Sequence, residues 1–423
     1  MTLEFVRTVT EAFCFVLAAT SCAAPAFLAA TPTAVNIPTQ RGTLTSTPAS
    51  GLPTTAPHSP TPALQTPGIQ ARVVSRCSIE TGNGISNLDL PEDWALLLSA
   101  ESEGDFRNWE SLGPGGEAAA LDVAGYPSAS WLEFRGVSPS HRLIALYAYF
   151  EDTDLIDLWV ASPGNGMAWR VAEGFDRPYV LEWLSDEVLA VFDGGTPRWY
   201  TTWILVDVAT GARRQLPEVW LELAHAFSPD GSQLIYLSPV RGGREVHLYD
   251  FEEGTDNRIL PWLDPGRIQI ASNIWMQWTT AGVTVALVDG ARITVAPNVP
   301  VGGLATDTGV VRTLVFPREA TRSFSYWFSN DGRWIALWRG YGGYFMFPDT
   351  QWEFLVLDTT EWILYDYCLP TQWLSPATIS GSPDGSFVSL TSLGVGSVVL
   401  DLTTGARAYL PSRYVWGWVV TSP

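Results

Sequence analysis

Basic residues are scarce in this sequence of 423 residues. Lysine and arginine together number 24 against 44 aspartates and glutamates, so the formal net charge is −20. Binding to a phosphate backbone requires the opposite sign of charge, and so does adsorption to anionic lipid headgroups. We therefore exclude nucleic acid as a partner and expect contact with a membrane only through a lipid anchor.

Residues and motifs that carry chemistry are also few. The four histidines, His58, His141, His225 and His247, are dispersed along the chain. There is no Gly-x-Ser-x-Gly, no P-loop and no paired cysteine spacing of a zinc site. We expect no histidine-dependent triad, no metal site and no cofactor. Paired carboxylates for glycoside hydrolysis stay open as an alternative, because the acidic residues offer many pairs.

The N-terminal segment has the features of an export signal. The apolar run over residues 12–19 is too short to span a bilayer, and it leads into Ala19-Thr20-Ser21-Cys22. This end resembles the lipobox of bacterial lipoproteins, with Cys22 as the lipidation site. We predict a signal peptide over residues 1–22 and a tethered lipoprotein; plain secretion and an unprocessed segment are the alternatives. The Thr/Pro-rich residues 23–70 predict a disordered linker or stalk.

Cysteine is rare, with four residues in the chain. Cys14 would be removed with the signal peptide and Cys22 would carry lipid. Cys77 and Cys368 remain as an even pair in an oxidising compartment, where a disulfide can form. The alternative is two unpaired buried thiols.

A turn motif recurs through the rest of the chain. Its full form is "FSPDGS" at Ser228, "FSNDGR" at Ser329 and "GSPDGS" at Ser382, with weaker copies at Ser138, Ser185 and Thr280. Proline presets the second position of a type I turn, aspartate suits the third, and glycine takes the left-handed conformation that closes a hairpin. Apolar, partly β-branched runs follow each copy and predict strands.

The repeating unit consists of four antiparallel strands. Third strands are predicted at 203–211, 246–254, 353–361 and 397–405, and a fourth follows each of them. No long stripe with helical periodicity is present. Four-stranded units repeated around an axis are the blades of a β-propeller, so we predict an all-β propeller domain over residues 71–423.

The two ends of this domain complement each other. The C-terminal "RYVWGWVVTSP" is a single strand, whereas residues 92–101, 108–117 and 118–123 predict three strands. We predict that these four strands form one blade, which closes the ring and hides the sheet edges. The count is then seven blades; six and eight are alternatives, since the copy at Thr280 is weak.

The motifs "FSPDGSQLIYLS" and "SPDGSFVSLTS", with the following "LYDFEEG" and "LDLTTG", resemble the WD40-like (PD40-type) repeats of TolB-like propellers. The resemblance covers about residues 90–423. It implies the fold and leaves the function open, because members of the family bind proteins, act as sensors or gate an attached hydrolase. Together with the signal and stalk, the chain resembles bacterial surface lipoproteins.

Three tryptophans occupy equivalent positions, two residues before the turn. Trp183, Trp278 and Trp327 are predicted to be core residues between blades; a role in stacking on a cofactor or sugar is the alternative.

Loops on one face of the propeller are the expected working surface. These loops, at 150–157, 194–202, 239–244 and 339–352, combine aromatic and charged residues. The candidate binding residues are Trp199, Tyr200, Arg241, Tyr341, Tyr344 and Phe345. The same loops carry Glu151, Asp152 and Asp154. The alternative is that the aromatic side chains plug the mouth of the channel.

The sequence therefore predicts a non-enzymatic, extracytoplasmic propeller that binds a protein, peptide or glycan and is a monomer. The main alternative is a carbohydrate-active hydrolase or lyase with acidic residues in the central channel. A purely structural envelope component is a third interpretation.

Overall fold

The computed structural model describes residues 68–422 with internal gaps. The gaps are 78–80, 84, 86–87, 101–104, 177, 194–199, 202, 218, 221–223, 241–242, 260–273, 280–281, 289–290, 300–310, 321, 342–350, 371–377 and 393–394. The predicted signal peptide, Cys22 and nearly all of the predicted stalk lie outside the described residues. In the described part, no helix has the length and apolar character needed to cross a membrane.

The chain begins with six short strands. They are β1 (Ile69–Gln70), β2 (Arg72–Ser75), β3 (Thr81–Asn83), β4 (Trp94–Ser99), β5 (Glu110–Leu112) and β6 (Ala118–Ala120). Two single turns of 3-10 helix, Phe106–Asn108 and Pro163–Asn165, are the helical segments among the described residues.

Three four-stranded antiparallel sheets follow. Blade 2 contains β7 (Trp131–Val137), β8 (Ile144–Tyr149), β9 (Ile156–Ser162) and β10 (Met167–Phe175). Blade 3 contains β11 (Pro178–Trp183), β12 (Val188–Asp193), β14 (Trp203–Asp207) and β15 (Arg213–Gln215), beside a ribbon of β13 (Tyr200–Thr201) and β16 (Val219–Trp220). Blade 4 contains β17 (His225–Phe227), β18 (Gln233–Val240), β19 (Gly243–Asp250) and β20 (Thr255–Ile259).

The remaining strands form three further blades and one last strand. Blade 5 contains β21 (Ile274–Thr279), β22 (Gly282–Val288), β23 (Arg292–Val299) and β24 (Arg312–Val315). Blade 6 contains β25 (Arg322–Phe328), β26 (Trp334–Tyr341), β27 (Gln351–Asp358) and β28 (Ile363–Asp366). Blade 7 contains β29 (Thr378–Gly381), β30 (Phe387–Ser392), β31 (Gly396–Asp401) and β32 (Arg407–Pro411), and the chain ends with β33 (Tyr414–Val420).

Blade 1 joins the two ends of the propeller. Its strand order is β33-β4-β5-β6, and β33 pairs antiparallel with β4, with Tyr414 opposite Ser99 and Val420 opposite Trp94. The predicted closure, three strands from the start of the domain and one from its end, is confirmed. The ring therefore has seven blades, and the two alternative counts are wrong.

The first strands of the blades line the axis of the ring. Each lies at one end of its sheet, and first strands of neighbouring blades contact one another, as β7 does with β11 and β29 with β33. The Ser-Pro-Asp-Gly turns join first to second strands at one face. The loops between second and third strands, together with the connections between blades, lie on the other face, which we call the loop face.

The core is divided among the interfaces between blades. Seven apolar clusters are found in the described part of the chain, and each joins two neighbouring blades around the ring. Both faces of the inner strands are consequently buried, and every residue of β26 and β30 is buried. This explains why the strand sequences are apolar on both sides.

Three strands at the start of the described chain, β1, β2 and β3, are among those that the sequence did not predict. β1, β2 and β3 add to the outer strands of blades 5, 6 and 7, and each pairs in parallel with β24, β28 and β32 respectively. We call residues 69–83 the strap. It contacts three consecutive outer edges before the chain enters blade 1, and it covers edges that would otherwise be open for pairing.

A disulfide and an arginine attach the strap. Cys77 is bonded to Cys368, which follows β28, and their Cα atoms are 5.3 Å apart. The guanidinium of Arg76 lies 3.4 Å from the centre of the Tyr365 ring in blade 6 and donates to the carbonyl of Leu402 in blade 7. The strap is thus fastened across the boundary between two blades.

Candidate functional site

A polar cavity lies on the loop face of blade 6. Tyr341 ends β26 and Gln351 begins β27, so both lie where the loop between these strands leaves the sheet. Pro317 and Arg318 follow β24 on the way from blade 5 to blade 6. The cavity of about 230 Å³ therefore lies between a strand-joining loop and a connection between blades.

Arg339 is the floor of this cavity. It lies opposite Glu353 in the pairing of β26 with β27, and its side chain is only 1 % exposed. One terminal nitrogen donates to the Tyr341 hydroxyl at 2.8 Å and to Oε2 of Glu353 at 3.1 Å. The other donates to the backbone carbonyl of Arg318 at 2.6 Å. Burial lowers the pKa of Arg339, which the neighbouring Tyr341 and Glu353 partly offset.

Tyr341 links the charged groups. Its hydroxyl donates to Oε2 of Glu353 while it accepts from Arg339. Burial, followed by the bond to Glu353, raises the pKa of the phenol well above its ordinary value, so the hydroxyl stays protonated. The network holds the ring of Tyr341 in one position, as the fixed floor of a binding site requires.

Arg318 lies above this floor. It is exposed, and its guanidinium carbon is 4.0 Å from the centre of the Tyr341 ring, a cation–π geometry. Among the described residues, no carboxylate forms an ion pair with Arg318, whereas Arg339 pairs with Glu353. The Arg318 cation is therefore available to a ligand. The half-buried Trp352 and Val73 of the strap form apolar walls beside it.

A second cavity, of about 210 Å³, lies near the opposite face. Arg142, Asp186 and Ser422 line it, and they come from the turns of blades 2 and 3 and from the end of the chain. Next to it, His141 donates from Nδ1 to the carbonyl of Trp418 at 2.9 Å, because a carbonyl can only accept. Burial lowers the pKa of His141. These contacts attach blade 2 to the closing strand, which is a structural role.

One histidine–carboxylate pair lies on the first strands. Nε2 of His225 in blade 4 is 2.9 Å from Oε1 of Glu182 in blade 3, and the ring of Trp203 packs beside the imidazole at 5.3 Å. Neither of the two cavities includes this pair. Among the described residues, no group of three or more side chains has the arrangement of a metal site.

The structure describes only two of the six predicted binding residues, Tyr200 and Tyr341. Tyr341 lines the blade 6 cavity. Tyr200 belongs to the ribbon strand β13, and nothing is described of its side chain. Trp199, Arg241, Tyr344 and Phe345 lie outside the described residues, so their role stays a prediction. Glu151, Asp152 and Asp154 are exposed on the loop between β8 and β9 and line neither cavity.

The three repeat tryptophans lie between blades, as predicted. The indole N–H of Trp183 donates to the carbonyl of Gly136 in blade 2 at 3.2 Å, and that of Trp278 to Ala226 in blade 4 at 3.0 Å. The ring of Trp327 packs on Gly381 of blade 7 so closely that a Cβ there would overlap it. Each ring is partly buried against a neighbouring blade, which is the predicted position in the core between blades.

Sequence reasoning missed Arg318, Arg339 and Glu353. A signal for Arg339 was present, since it is the one charged residue in the buried run "WIALWRGY" of β26. A charge in such a run needs a partner, because burying an unpaired charge is very costly. Which residue pairs with Arg339 depends on the register of β26 and β27, which places Glu353 opposite Arg339.

Comparisons with known proteins identify no family for this chain. No family model matches the chain, and no curated protein matches it. Among solved structures, TolB from Acinetobacter baumannii is 15% identical with a TM-score of 0.43, over 83% of this chain and 97% of that one. An oligogalacturonate lyase in complex with manganese is 12% identical with a TM-score of 0.44, over 74% of this chain and 84% of that one.

A prolyl endopeptidase structure is also similar. It is 16% identical with a TM-score of 0.45, over 76% of this chain and 50% of that one. These likenesses are distant, so the assignment of the fold depends on the strand pairing of the chain itself. By that pairing, the protein is a seven-bladed β-propeller with an additional strand on the outer edge of three blades.

Proposed function

We propose that this protein is an exported, non-enzymatic propeller that binds a ligand at its loop face, with the blade 6 cavity as the site. The observation that carries the proposal is the prebuilt floor of Arg339, Tyr341 and Glu353 beneath the accessible cation of Arg318. A site with fixed polar groups and apolar walls binds a ligand without first having to be ordered.

Binding is favoured over catalysis by the composition of the cavities. Hydrolysis of a glycosidic bond needs two carboxylates on either side of it. Among the described residues, Glu353 is the acid that lines the blade 6 cavity, and Asp186 is the acid that lines the second cavity. The described residues that line the two cavities include no histidine or cysteine, the side chains that most often form or activate a nucleophile. The carbohydrate-active alternative has no comparable support in the described residues.

Export is supported by chemistry outside the cavity. The disulfide between Cys77 and Cys368 suits an oxidising compartment. The lipobox-like residues before Cys22 and the Thr/Pro-rich segment would tether the propeller at a surface. We propose that it is a lipid-anchored monomer of the periplasm or cell surface. Mass spectrometry of the mature N-terminus tests this, since acylation of Cys22 adds a defined mass.

The binding proposal is tested with purified propeller and a panel of neutral sugars, acidic sugars, amino acids and short peptides. Thermal shift and calorimetry would measure binding to wild type, Arg318→Ala and, as a control, Arg170→Ala. Arg170 is also exposed, but it pairs with Asp157 and Glu173 on blade 2. We expect binding that Arg318→Ala weakens and Arg170→Ala leaves unchanged. No binding by any class, equal binding by all three proteins, or turnover of a panel member would reject the proposal.

The other predicted loop residues call for their own variant. In a Trp199→Ala/Tyr344→Ala double variant, we expect weaker binding of the same ligand, because loops 194–202 and 339–352 belong to the predicted binding face. Unchanged affinity in this variant would confine the site to the blade 6 cavity.

A further inference from the structure

The charges around the blade 6 cavity show what kind of ligand fits it, and this inference rests on the proposed function. In the described lining of the cavity, Arg318 is the accessible cation and Glu353, whose side chain is 31 % exposed, is the accessible anion. The third charge, Arg339, is buried beneath them. A ligand that satisfies both accessible groups needs one negative and one positive or hydrogen-donating group.

Glu353 keeps an acceptor atom for such a ligand. The bonds from Arg339 and Tyr341 both go to Oε2, and Oε1 accepts no bond from the described residues. A carboxylate has about four acceptor positions. Oε1 can therefore accept from an ammonium or hydroxyl of a ligand without disturbing the floor.

The two ligand-facing groups are close together because both contact Tyr341. Arg318 lies over the ring, and Glu353 lies at its hydroxyl. The negative and the donating group of the ligand must therefore be separated by only a few bonds. A dianionic phosphate does not suit this place, because Glu353 would repel its second charge.

The size of the cavity restricts the ligand further. Sites for drug-sized molecules measure about 300–1,000 Å³, whereas this cavity measures about 230 Å³. The half-buried Val73 and Trp352 offer apolar surface to the rest of the ligand. We propose that the blade 6 cavity binds a small α-amino acid with an apolar side chain, its carboxylate on Arg318 and its ammonium on Glu353.

The recognition follows general chemistry. A guanidinium holds a carboxylate through two parallel hydrogen bonds, and an ammonium donates to a carboxylate in a charge-assisted bond. Removal of either ligand charge leaves one protein group without its partner. Discrimination against analogues that lack one group is therefore stronger than against analogues with a shorter side chain.

Calorimetry with the purified full-length protein tests this, with L-leucine, L-valine and L-methionine as probes. L-Leucinamide lacks the carboxylate, N-acetyl-L-leucine lacks the ammonium, and 2-hydroxy-4-methylpentanoate replaces the ammonium with a hydroxyl. We expect saturable binding of the amino acids, at least tenfold weaker binding of the amide and the acetylated compound, and intermediate binding of the hydroxy acid.

Substitutions of the residues that line the cavity test whether the amino acid binds there. Arg318→Ala should weaken L-leucine binding at least tenfold with little effect on the binding of leucinamide, so that the preference for leucine over its amide is lost. Glu353→Gln, which keeps an acceptor for Arg339 and Tyr341, should weaken L-leucine more than the hydroxy acid. Arg170→Ala should bind as wild type does, and thermal unfolding of each variant confirms that it is folded.

The outcomes separate this inference from the proposed function. If no amino acid binds while another class binds in an Arg318-dependent way, the amino-acid inference is wrong and the binding site stands. If leucine, leucinamide and acetyl-leucine bind equally, recognition is apolar only and the inference is also wrong. If nothing in the panel binds, or if Arg318→Ala changes nothing, both proposals fail.

Discussion

Cys77 of the strap is bonded to Cys368 at the end of β28, so that one covalent link joins residues 291 positions apart in the sequence. The link lies where the strap passes from blade 6 to blade 7, close to Arg76 and its contacts with Tyr365 and Leu402. A segment that precedes the propeller in the sequence is thereby fixed to its outer edge.

Reduction of this disulfide should destabilise the propeller. A cross-link over such a long loop restricts the unfolded chain strongly, and removal of a native disulfide typically costs about 2–5 kcal/mol. We expect dithiothreitol, or a Cys77→Ser/Cys368→Ser double variant, to lower the free energy of unfolding by about this amount, measured by urea denaturation. Dithiothreitol should not affect the double variant further. Identical denaturation curves with and without the bond would contradict a stabilising role.

The closing strand should depend on Trp418. Its ring is fully buried, its centre lies 6.3 Å from that of Trp94 and 6.0 Å from that of Phe387, and its N–H donates to the carbonyl of Ser380. Trp418→Ala should lower the free energy of unfolding by about 3–5 kcal/mol, since a large cavity remains.

A tryptophan outside the core is the matched control for that experiment. Trp131 in β7 is 38% exposed, so Trp131→Ala should change stability by less than about 1 kcal/mol. If urea denaturation gave equal losses of the free energy of unfolding for the two substitutions, burial of Trp418 would not be what stabilises the closing blade.

The buried serine of the turn should matter more than the half-buried one. Ser382 donates to Asp384 at 2.8 Å and accepts from the backbone N–H of Phe387 at 2.9 Å, whereas the side chain of the half-buried Ser386 donates to Asp384. Ser382→Ala leaves a buried N–H without its partner, so we expect a loss of about 1–3 kcal/mol. Ser386→Ala should cost about 1 kcal/mol or less. Thermal denaturation of both variants gives the comparison, and the reverse order would contradict it.

Stability should depend on pH through His141. Burial lowers its pKa below the ordinary 6.5, while the carbonyl of Trp418 and the carboxylates of Asp186 and Asp384 partly offset the effect. The unfolded chain therefore binds this proton more readily than the folded chain. The contribution of His141 to stability is fully present above about pH 6.5 and is lost as the pH falls from there through the lower folded pKa.

His141→Asn removes this titration while keeping a residue that accepts the backbone φ of +61°. Wild type should therefore lose more stability than the variant between about pH 7.5 and 5.5, measured by urea denaturation at each pH. Parallel curves for the two proteins would show that His141 has the same proton affinity in both states.

The turn motif and the closure could be predicted because their signals are local. Ser228 and Asp230 bond within the turn itself at 2.6 Å, and Gly231 has the positive φ that the motif requires. The incomplete unit at each end predicted that β33 and β4 pair. Only part of the candidate site could be predicted. Tyr341 could be recognised in the sequence as an aromatic residue of a loop, whereas nothing in the sequence indicated that Arg318 and Glu353 are its partners.

The sequence by itself determined the repeated four-stranded unit, its turns and the joining of its two ends, because strand periodicity and turn chemistry act between residues near in the chain. Only the tertiary structure decided the course of the strap and the composition of the blade 6 cavity. Strands of two to four residues, such as β1 and β2, carry no periodicity of their own. The meeting of Arg318, Arg339 and Glu353 depends on strand register and on how two blades pack, and both are set by contacts between distant segments.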